Sequence, residues 1–479
     1  MRKKLNSAGK LVIVGAGPSG LAAALEGTKN ANEVLIFESS SHLGGLSRTV
    51  DFQDCRFDVG PHRFFTKNAE VNQLFSEILG NDQIRVKRLT RIFYKGKYFN
   101  YPITPLNALL GLGVFNSIAI FVSYAFVRVK ALIFPSQIKN FEEWVTGQFG
   151  SRLYRIFFKT YTEKVWGIPC TEISDQWASQ RIKNLNLREA IVRALFGSPK
   201  KVIKTLVDEF GYPRMGSGQF YHKMASIIES NGGEVRLNSP VERICHQDQV
   251  VKSIVVKNNN EEQIIIGDFF LCSAPLTEIL EMLEPAPPSS VLEASRALRY
   301  RDHIGVQLKM RNINFLDNWI YIHSPEVKMA RLANYRNFSP SMADKDDISP
   351  MTAEYFTFKG DAVWSLSDDQ LIELAIKEIS KMGLANLDQF VSGFVIRSEK
   401  AYPVIDQKSI MYVETIRNWI KGFQNLIPIG RSGMFKYNNQ DHAIATGLLA
   451  ARTALGLGQF DPWNVNIDAE YLEEDRNNS

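Results

Sequence analysis

Residues 11 to 38 constrain the chain more than any other stretch. Leu11, Val12, Ile13 and Val14 form a short apolar run that passes directly into Gly15, Ala16, Gly17, Pro18, Ser19 and Gly20, then into Leu21, Ala22, Ala23, Ala24 and Leu25. The order reads as strand, tight turn and helix. A second apolar run, Val34 to Phe37, ends in Glu38, 18 residues beyond Gly20. This is the spacing of a dinucleotide-binding unit: Gly15 makes the turn, Gly17 lets a pyrophosphate approach the backbone, and Gly20 lets helix pack on strand. The diphosphate would lie at the amino end of the helix, over Gly17, Pro18 and Ser19, where unpaired N–H groups favour an anion. Glu38 would accept the hydroxyls of the adenosine ribose and repel a 2′-phosphate, which favours FAD or NAD over NADP.

A chain of 479 residues exceeds one ordinary core, so two domains are expected. Hydrophobic residues make up 45% and charged ones 22%, the balance of a folded globular protein. The net charge of +5, from 56 basic and 51 acidic side chains, does not argue for nucleic acid and suits an anionic ligand held by a few placed arginines. Cys55, Cys170, Cys245 and Cys272 lie too far apart for a metal knuckle or redox pair, so no metal site is expected and reduced thiols are. The first ten residues lack the apolar core of a signal peptide, which points to a cytoplasmic chain. Residues 107 to 127 carry no charge and approach the length of a bilayer span, but Gly111, Gly113, Asn116 and Ser117 interrupt them. A buried helical hairpin is the favoured reading, ahead of peripheral membrane contact.

Beyond Glu38, Leu43, Gly44, Gly45, Leu46, Ser47 and Arg48 can bring backbone close to a cofactor while Arg48 faces phosphate. Together these motifs resemble the amino end of the flavin amine oxidoreductase superfamily, which includes protoporphyrinogen oxidases, phytoene desaturases and UDP-galactopyranose mutases. Phe57, Asp58, Val59, Gly60, Pro61, His62, Arg63, Phe64 and Phe65 resemble the mutases in particular, as does the rarer run Phe157 to Gly167, FFKTYTEKVWG. The closing block Gly430, Arg431, Ser432, Gly433, Met434, Phe435, Lys436, Tyr437, Asn438, Asn439, Gln440, Asp441 and His442 is also similar to theirs.

The resemblance implies an α/β fold: a Rossmann-like FAD-binding domain assembled from residues 8–75, 206–295 and 393–460. A substrate domain, mostly helical over 76–205 and an antiparallel sheet over 296–392, would accompany it, with 461–479 as a flexible tail. It implies FAD held by Gly15, Gly17, Pro18, Ser19, Gly20, Glu38, Gly44, Gly45, Leu46, Arg48, Gly60, Pro61, His62, Val241, Gly430, Arg431, Asn439, Gln440 and Asp441. His62 would lie against the isoalloxazine. Arg181, Arg331 and Tyr437 would meet the diphosphate of a UDP- or dTDP-sugar, with Tyr402 matching another active-site tyrosine, although a packed tyrosine fits that position equally well. Phe338 stands where eukaryotic mutases use tyrosine, which removes one hydrogen bond to phosphate.

On this reading reduced FAD, supplied by NAD(P)H or a reductase, opens and recloses the sugar ring with no net redox, and a mutase is expected in preference to an oxidoreductase. Two alternatives stand beside it. One is an FAD-dependent oxidase or desaturase of protoporphyrinogen, phytoene or amine type, motivated by the uncharged segment. The other is a non-catalytic lipid- or partner-binding protein on the same fold. The sequence leaves the oligomeric state open.

Two short pieces have a local reading. Residues 84 to 99 suggest a hairpin turned at Lys95, Gly96 and Lys97, and 250 to 257 with 262 to 272 suggest strands continuing the first sheet.

Overall fold

The computed structural model describes residues 9–31, 33–101, 107, 111–134, 138–174, 209–258 and 261–466. Lys10–Val14 is the middle strand of a five-stranded parallel sheet, in the order Leu426–Pro428, Phe269–Cys272, Lys10–Val14, Glu33–Phe37, Glu234–Arg236. Side chains of a strand alternate between faces, and both faces of this sheet are covered, which is why its strands read as unbroken apolar runs. Leu11, Ile13, Val34 and Ile36 pack against Pro18–Gly27, Gly218–Ser230 and Gln440–Ala454. Val12, Val14, Leu35 and Phe37 pack the other way, against a smaller sheet and the helix Gln407–Ile420. This is a Rossmann-like FAD-binding architecture built from discontinuous segments.

That smaller sheet corrects one expectation. Val250–Asn258 and Glu261–Ile266 form an antiparallel hairpin in a separate four-stranded sheet with Val241–Gln247 and Leu283–Glu284, and of this stretch Phe269–Cys272 alone joins the parallel sheet. Ile264 and Ile266 are exposed, and a strand with one face in water suits an antiparallel hairpin, not a doubly buried parallel position. The hairpin near residue 90 is likewise shorter than expected: Thr90–Tyr94 pairs with Lys97–Asn100 across Lys95 (φ 49°) and Gly96 (φ 77°), both left-handed. Gln83–Lys87 pairs instead with Glu209–Pro213.

The substrate domain centres on a seven-stranded sheet, in the order Phe390–Pro403, Tyr300–Arg311, Ile348–Thr357, Arg331–Asn334, Trp319–Ile322, Thr90–Tyr94, Lys97–Asn100. It is antiparallel except where Thr90–Tyr94 lies parallel to Trp319–Ile322. Phe390–Pro403 therefore runs across the position 393 at which the chain was expected to re-enter the FAD-binding domain. Ile304, Val306, Leu308, Met310, Leu332, Met351, Ala353 and Tyr355 form the core on one face, beneath the helix Asp368–Lys381. The alternate residues, among them His303, Gln307, Lys309, Thr352 and Glu354, are polar yet equally buried. They face residues 53–62 of the FAD-binding domain: Lys309 ion-pairs with Asp54, and the Tyr335 hydroxyl donates to the Asp58 carbonyl at 2.8 Å. The second layer of this sheet is thus the other domain.

Between the strands Lys97–Asn100 and Glu209–Pro213, the described helices of the substrate domain are Val114–Ile133, Phe141–Phe149 and a run from Ser151 to Trp166 that contains one wide turn over Tyr154–Lys159. Val114–Ile133 is not buried. Val114, Phe115, Val122, Phe126, Leu132 and Ile133 are each more than 60% exposed, so the expected buried hairpin is overturned. Of the expected tail, Trp463 is buried, with Arg417 over its ring and the Lys436 ammonium donating to its carbonyl, so residues 461–466 are fixed to the body.

Candidate functional site

The carboxyl end of the parallel sheet opens into a cradle built by four stretches. Gly15 adopts φ +96° and its amide donates to the Phe37 carbonyl at 2.8 Å, closing the turn onto the second strand. A Cβ at Gly20 would stand 1.9 Å from the Gly15 carbonyl oxygen, so only glycine lets the helix begin there. At Gly17 a Cβ would meet nothing within 4 Å, which makes it the open side of the turn. Gly44 donates its amide to the Ala16 carbonyl at 2.9 Å, and this seats Gly45, followed by Leu46, beside Gly17 and Pro18. The Arg48 guanidinium donates to the Gly45 carbonyl at 2.9 Å; burial draws its pKa down, and the Glu38 carboxylate pulls it back.

Glu38 ends the second strand as the motif requires. Its carboxylate accepts from the Ala16 amide at 2.8 Å and from the Ser40 hydroxyl at 2.8 Å. The Ser239 amide donates to the Glu38 carbonyl at 2.8 Å and brings the strand that starts at Val241 to the same end. From the carboxyl-terminal block, a Cβ at Gly430 would stand 2.4 Å from the Ser19 hydroxyl, and one at Gly447 would stand 2.1 Å from the Ser19 carbonyl. Asn439 begins the helix Gln440–Ala454, its amide donating to His442 Nδ1 at 3.1 Å, and the Tyr221 hydroxyl donates to Gln440 at 2.6 Å. Asp441 is buried beside them.

Where the cradle meets the polar face of the large sheet, a second group of residues converges. The Glu354 carboxylate is 1% exposed and is ion-paired with Arg331 at 2.7 Å, while a second oxygen contacts Arg331 at 2.8 Å and His303 Nε2 at 2.9 Å. Burial works against the charge of Arg331, but the Glu354 carboxylate and the surrounding tyrosines Tyr402, Tyr161 and Tyr321 together outweigh it and hold the guanidinium firmly protonated. Burial likewise raises Glu354, and Arg331 and His303 together more than reverse this, so both partners of the Arg331–Glu354 pair stay ionised. A Cβ at Gly60 would stand 3.1 Å from Glu354 Oε1 and 3.7 Å from His62, which places the 60–62 loop against the pair. Burial depresses His62 to about 4, with Glu354 opposing it, and Nδ1 makes no hydrogen bond.

Aromatic rings close the cluster. The Arg331 guanidinium approaches the Tyr402 hydroxyl at 3.4 Å and lies 5.4 Å from the Phe356 ring centre. Arg431 sits 4.2 Å from the ring centre of Tyr402 and 4.5 Å from that of Tyr437, with Nε and Nη2 buried and without a hydrogen-bond partner among the described residues. Trp166, at the end of the FFKTYTEKVWG run, packs 5.4 Å from Tyr437. Tyr161 of the same run stacks on His323 at 4.6 Å and meets Tyr321 edge-on at 5.5 Å. Lys164 is spent on structure, its ammonium donating to the carbonyls of Ile322, Ser324, Val327 and Met329 at 2.8–3.1 Å.

His62, Arg331, Tyr402, Tyr437 and Arg431 therefore come together, and the glycine turns, Glu38 and the 439–441 helix start form the adjoining cradle. Arg181 lies outside the described residues. Phe338 does not line the cluster: it is buried among Phe210, Tyr212, Trp319 and Tyr335, so its departure from tyrosine is a matter of core packing. The sequence reading missed Glu354 and His303. Both stand on strands with polar and apolar residues in alternation, and a lone acid in the otherwise uncharged Ile348–Thr357 was the available signal.

The cradle fits FAD on its own terms. An open glycine at the helix start, a second glycine turn against it, and two buried guanidinium nitrogens without partners are what a diphosphate and a polar ring system would occupy.

Comparison with known proteins agrees at the level of fold and corrects the chemistry. The model of flavin containing amine oxidoreductases matches residues 18–403. A 15-cis-phytoene desaturase of Capsicum annuum is 24% identical over 408 residues, which is 78% of this chain; the match spans 64% of that longer relative. The crystal structure of reduced UDP-galactopyranose mutase superposes with a TM-score of 0.83 at 20% identity, covering 96% of this chain and 99% of that one. Putrescine oxidase bound to putrescine superposes at 0.62 with 15% identity, covering 95% and all of that chain. At such identities the superpositions establish shared architecture. The expectation of a mutase in preference to an oxidoreductase is overturned by the family match and the desaturase relative. The chain belongs to the flavin containing amine oxidoreductase family.

Proposed function

We propose that this protein is an FAD-dependent oxidoreductase of the desaturase or oxidase kind, acting on an apolar, lipid-soluble molecule. The observation that carries the reading is the Arg331–Glu354 pair. A guanidinium meant to clamp a diphosphate needs its positive charge unopposed, whereas that of Arg331 is ion-paired with a carboxylate that is itself almost wholly buried. A diphosphate entering there would meet the negative charge of Glu354 in a desolvated setting. What the cluster offers instead is ring surface: Tyr161, Tyr321, Phe356, Tyr402, Tyr437 and Trp166. Such walls bury a hydrocarbon at about 25 cal/mol per Å² of apolar area.

Gly15, Gly17, Gly20, Gly44, Gly45, Arg48, Gly430 and Arg431 would hold the cofactor, with Glu38 and Val241 at its adenosine end. Bound there, FAD supplies the acceptor for a hydride. The protein excludes water, orients the substrate between rings and keeps the local proton inventory fixed. Burial keeps the Tyr402 phenol protonated despite the opposing charges of Arg331 and Arg431. His62 stays neutral at physiological pH, and its Nδ1, without a hydrogen-bond partner among the described residues, is open to accept the proton that leaves with the hydride.

The test is anaerobic mixing of the FAD-loaded protein with a polyene hydrocarbon in detergent micelles, an aliphatic amine, and UDP- and dTDP-sugars. Bleaching of the flavin band by an apolar substrate, with a product two hydrogens lighter, is expected. Absence of bleaching by every apolar substrate, with sugar-nucleotide isomerisation by the reduced protein, would overturn the reading.

A further inference from the structure

The surface of Val114–Ile133 is unlike the rest of the molecule. Taking about 100° per residue, Val114, Phe115, Ile118, Phe121, Val122, Phe126, Val129, Leu132 and Ile133 fall within an arc of roughly 140°, and all are exposed. Asn116, Ile120, Ser123 and Tyr124 occupy the opposite side and meet the protein: Arg152 donates to the Ser123 hydroxyl at 3.1 Å and to Asn116 at 2.7 Å, and Gly150 abuts Tyr124. Exposed Arg128 and Lys130 lie at the two edges of the apolar arc, the Arg128 guanidinium 6.0 Å from the Tyr124 ring centre. No acidic residue occurs between Asp82 and Glu142, whereas nine basic ones do. One of them, Lys97, donates to the Gly111 carbonyl at 2.8 Å, which puts the basic hairpin turn beside the start of the helix. An open groove of about 520 Å³ runs along Phe115, Ile118, Val122 and Phe126 with Arg152 at its rim.

A uniformly apolar face bordered by cations, on a stretch with no opposing charge, is complementary to one environment: acyl chains beneath anionic headgroups. We infer that Val114–Ile133 lies in the plane of an anionic bilayer leaflet with its exposed face among the acyl chains. Its 20 residues would reach about 30 Å, enough to cross a bilayer, but one long side is fixed against the folded domain through Asn116, Ser123 and Tyr124. Crossing would drag that domain into hydrocarbon, so the helix lies flat. The inference stands on the surface alone and does not depend on the chemistry proposed for the site.

Flotation of the FAD-loaded full chain with phosphatidylglycerol or phosphatidylcholine vesicles tests it. The wild type floats with the anionic vesicles, and about tenfold less with the zwitterionic ones. The double variant V122E/F126E floats with neither, while R128Q/K130Q loses only the anionic preference; retained flavin absorbance reports that each is folded. Tryptophans placed singly at 118 and 129 are quenched equally by lipids brominated near the headgroup, since a flat helix holds both at one depth, whereas a crossing helix separates them by about 16 Å. Wild-type protein that stays at the bottom of the gradient with both vesicles overturns the inference. So does a lipid-indifferent dimer that V122E/F126E splits, which would make this face a contact between copies.

Discussion

His323 makes the folded protein sensitive to acid. It is buried against Tyr161, and burial, helped by the nearby Lys164 ammonium, lowers it to about 3. An unfolded histidine titrates near 6.5, so the folded state excludes a proton that the unfolded chain accepts over the interval between. The stability owed to the neutral ring is complete above about pH 6.5 and is lost as pH falls toward 3. By pH 4.5 the loss is on the order of 2–3 kcal/mol. His62, lowered to about 4, contributes in the same direction, whereas Asp58, raised by burial to about 7, works oppositely and withdraws stability as pH rises from about 4 through 7. H323F keeps a ring on Tyr161 and removes one titration. Urea unfolding at pH 7.5 and 4.5 is therefore expected to show a smaller pH-dependent loss in the variant than in the wild type, by about that amount. Equal losses in the two proteins would show that His323 takes up its proton in the folded state.

Among the elements, the contact between Pro18–Gly27 and Gln440–Ala454 joins residues more than 400 positions apart and sets the width of the cradle. The helices touch because Gly447 has no side chain where Ser19 presents its carbonyl, 2.1 Å from a Cβ at that position. G447V should push them apart, at about 1–3 kcal/mol or more for an overfilled core. Ser19 also abuts Gly430, so the displacement should weaken FAD retention as well. Denaturant midpoints and the flavin-to-protein absorbance ratio measure the two effects, and an unchanged ratio in a destabilised variant would separate the cradle from this contact. The glycine turn, Glu38, the second glycine pair and the small-residue helix were legible in the sequence because each is a local pattern with one physical reason. The polar row of the large sheet was not. His303, Gln307 and Lys309 alternate with Ile304, Val306 and Leu308 as a half-exposed strand would, and only the docking of residues 53–62 makes their face an interior one. Residues 114–133 misled for the converse reason, since apolar composition says that a face must be covered and not by what.

At the scale of the whole molecule, the cofactor site is a joint. Residues 15–20, 44–48, 430–433 and 439–447 meet around one cradle, and the substrate sheet closes it from the other side through Glu354 and Arg331, against the loop that carries His62. A ligand that binds only this assembled form stabilises all of it: FAD at a hundredfold over its Kd adds about 2.7 kcal/mol, a rise of a few degrees in Tm for a chain of this length. Gly17 separates that contribution from folding. Its φ of −79° suits any residue, and a Cβ there touches nothing within 4 Å. G17V should therefore unfold at the same temperature as the wild type when both are stripped of FAD. On adding FAD the wild type should gain its few degrees and the variant none, because the new methyl groups occupy the space where a diphosphate must approach the backbone. A variant that still responds to FAD would mean that the open side of this turn is not where the cofactor lies. A variant that melts low in both states would mean that Gly17 carries the fold itself, which the empty space around it argues against.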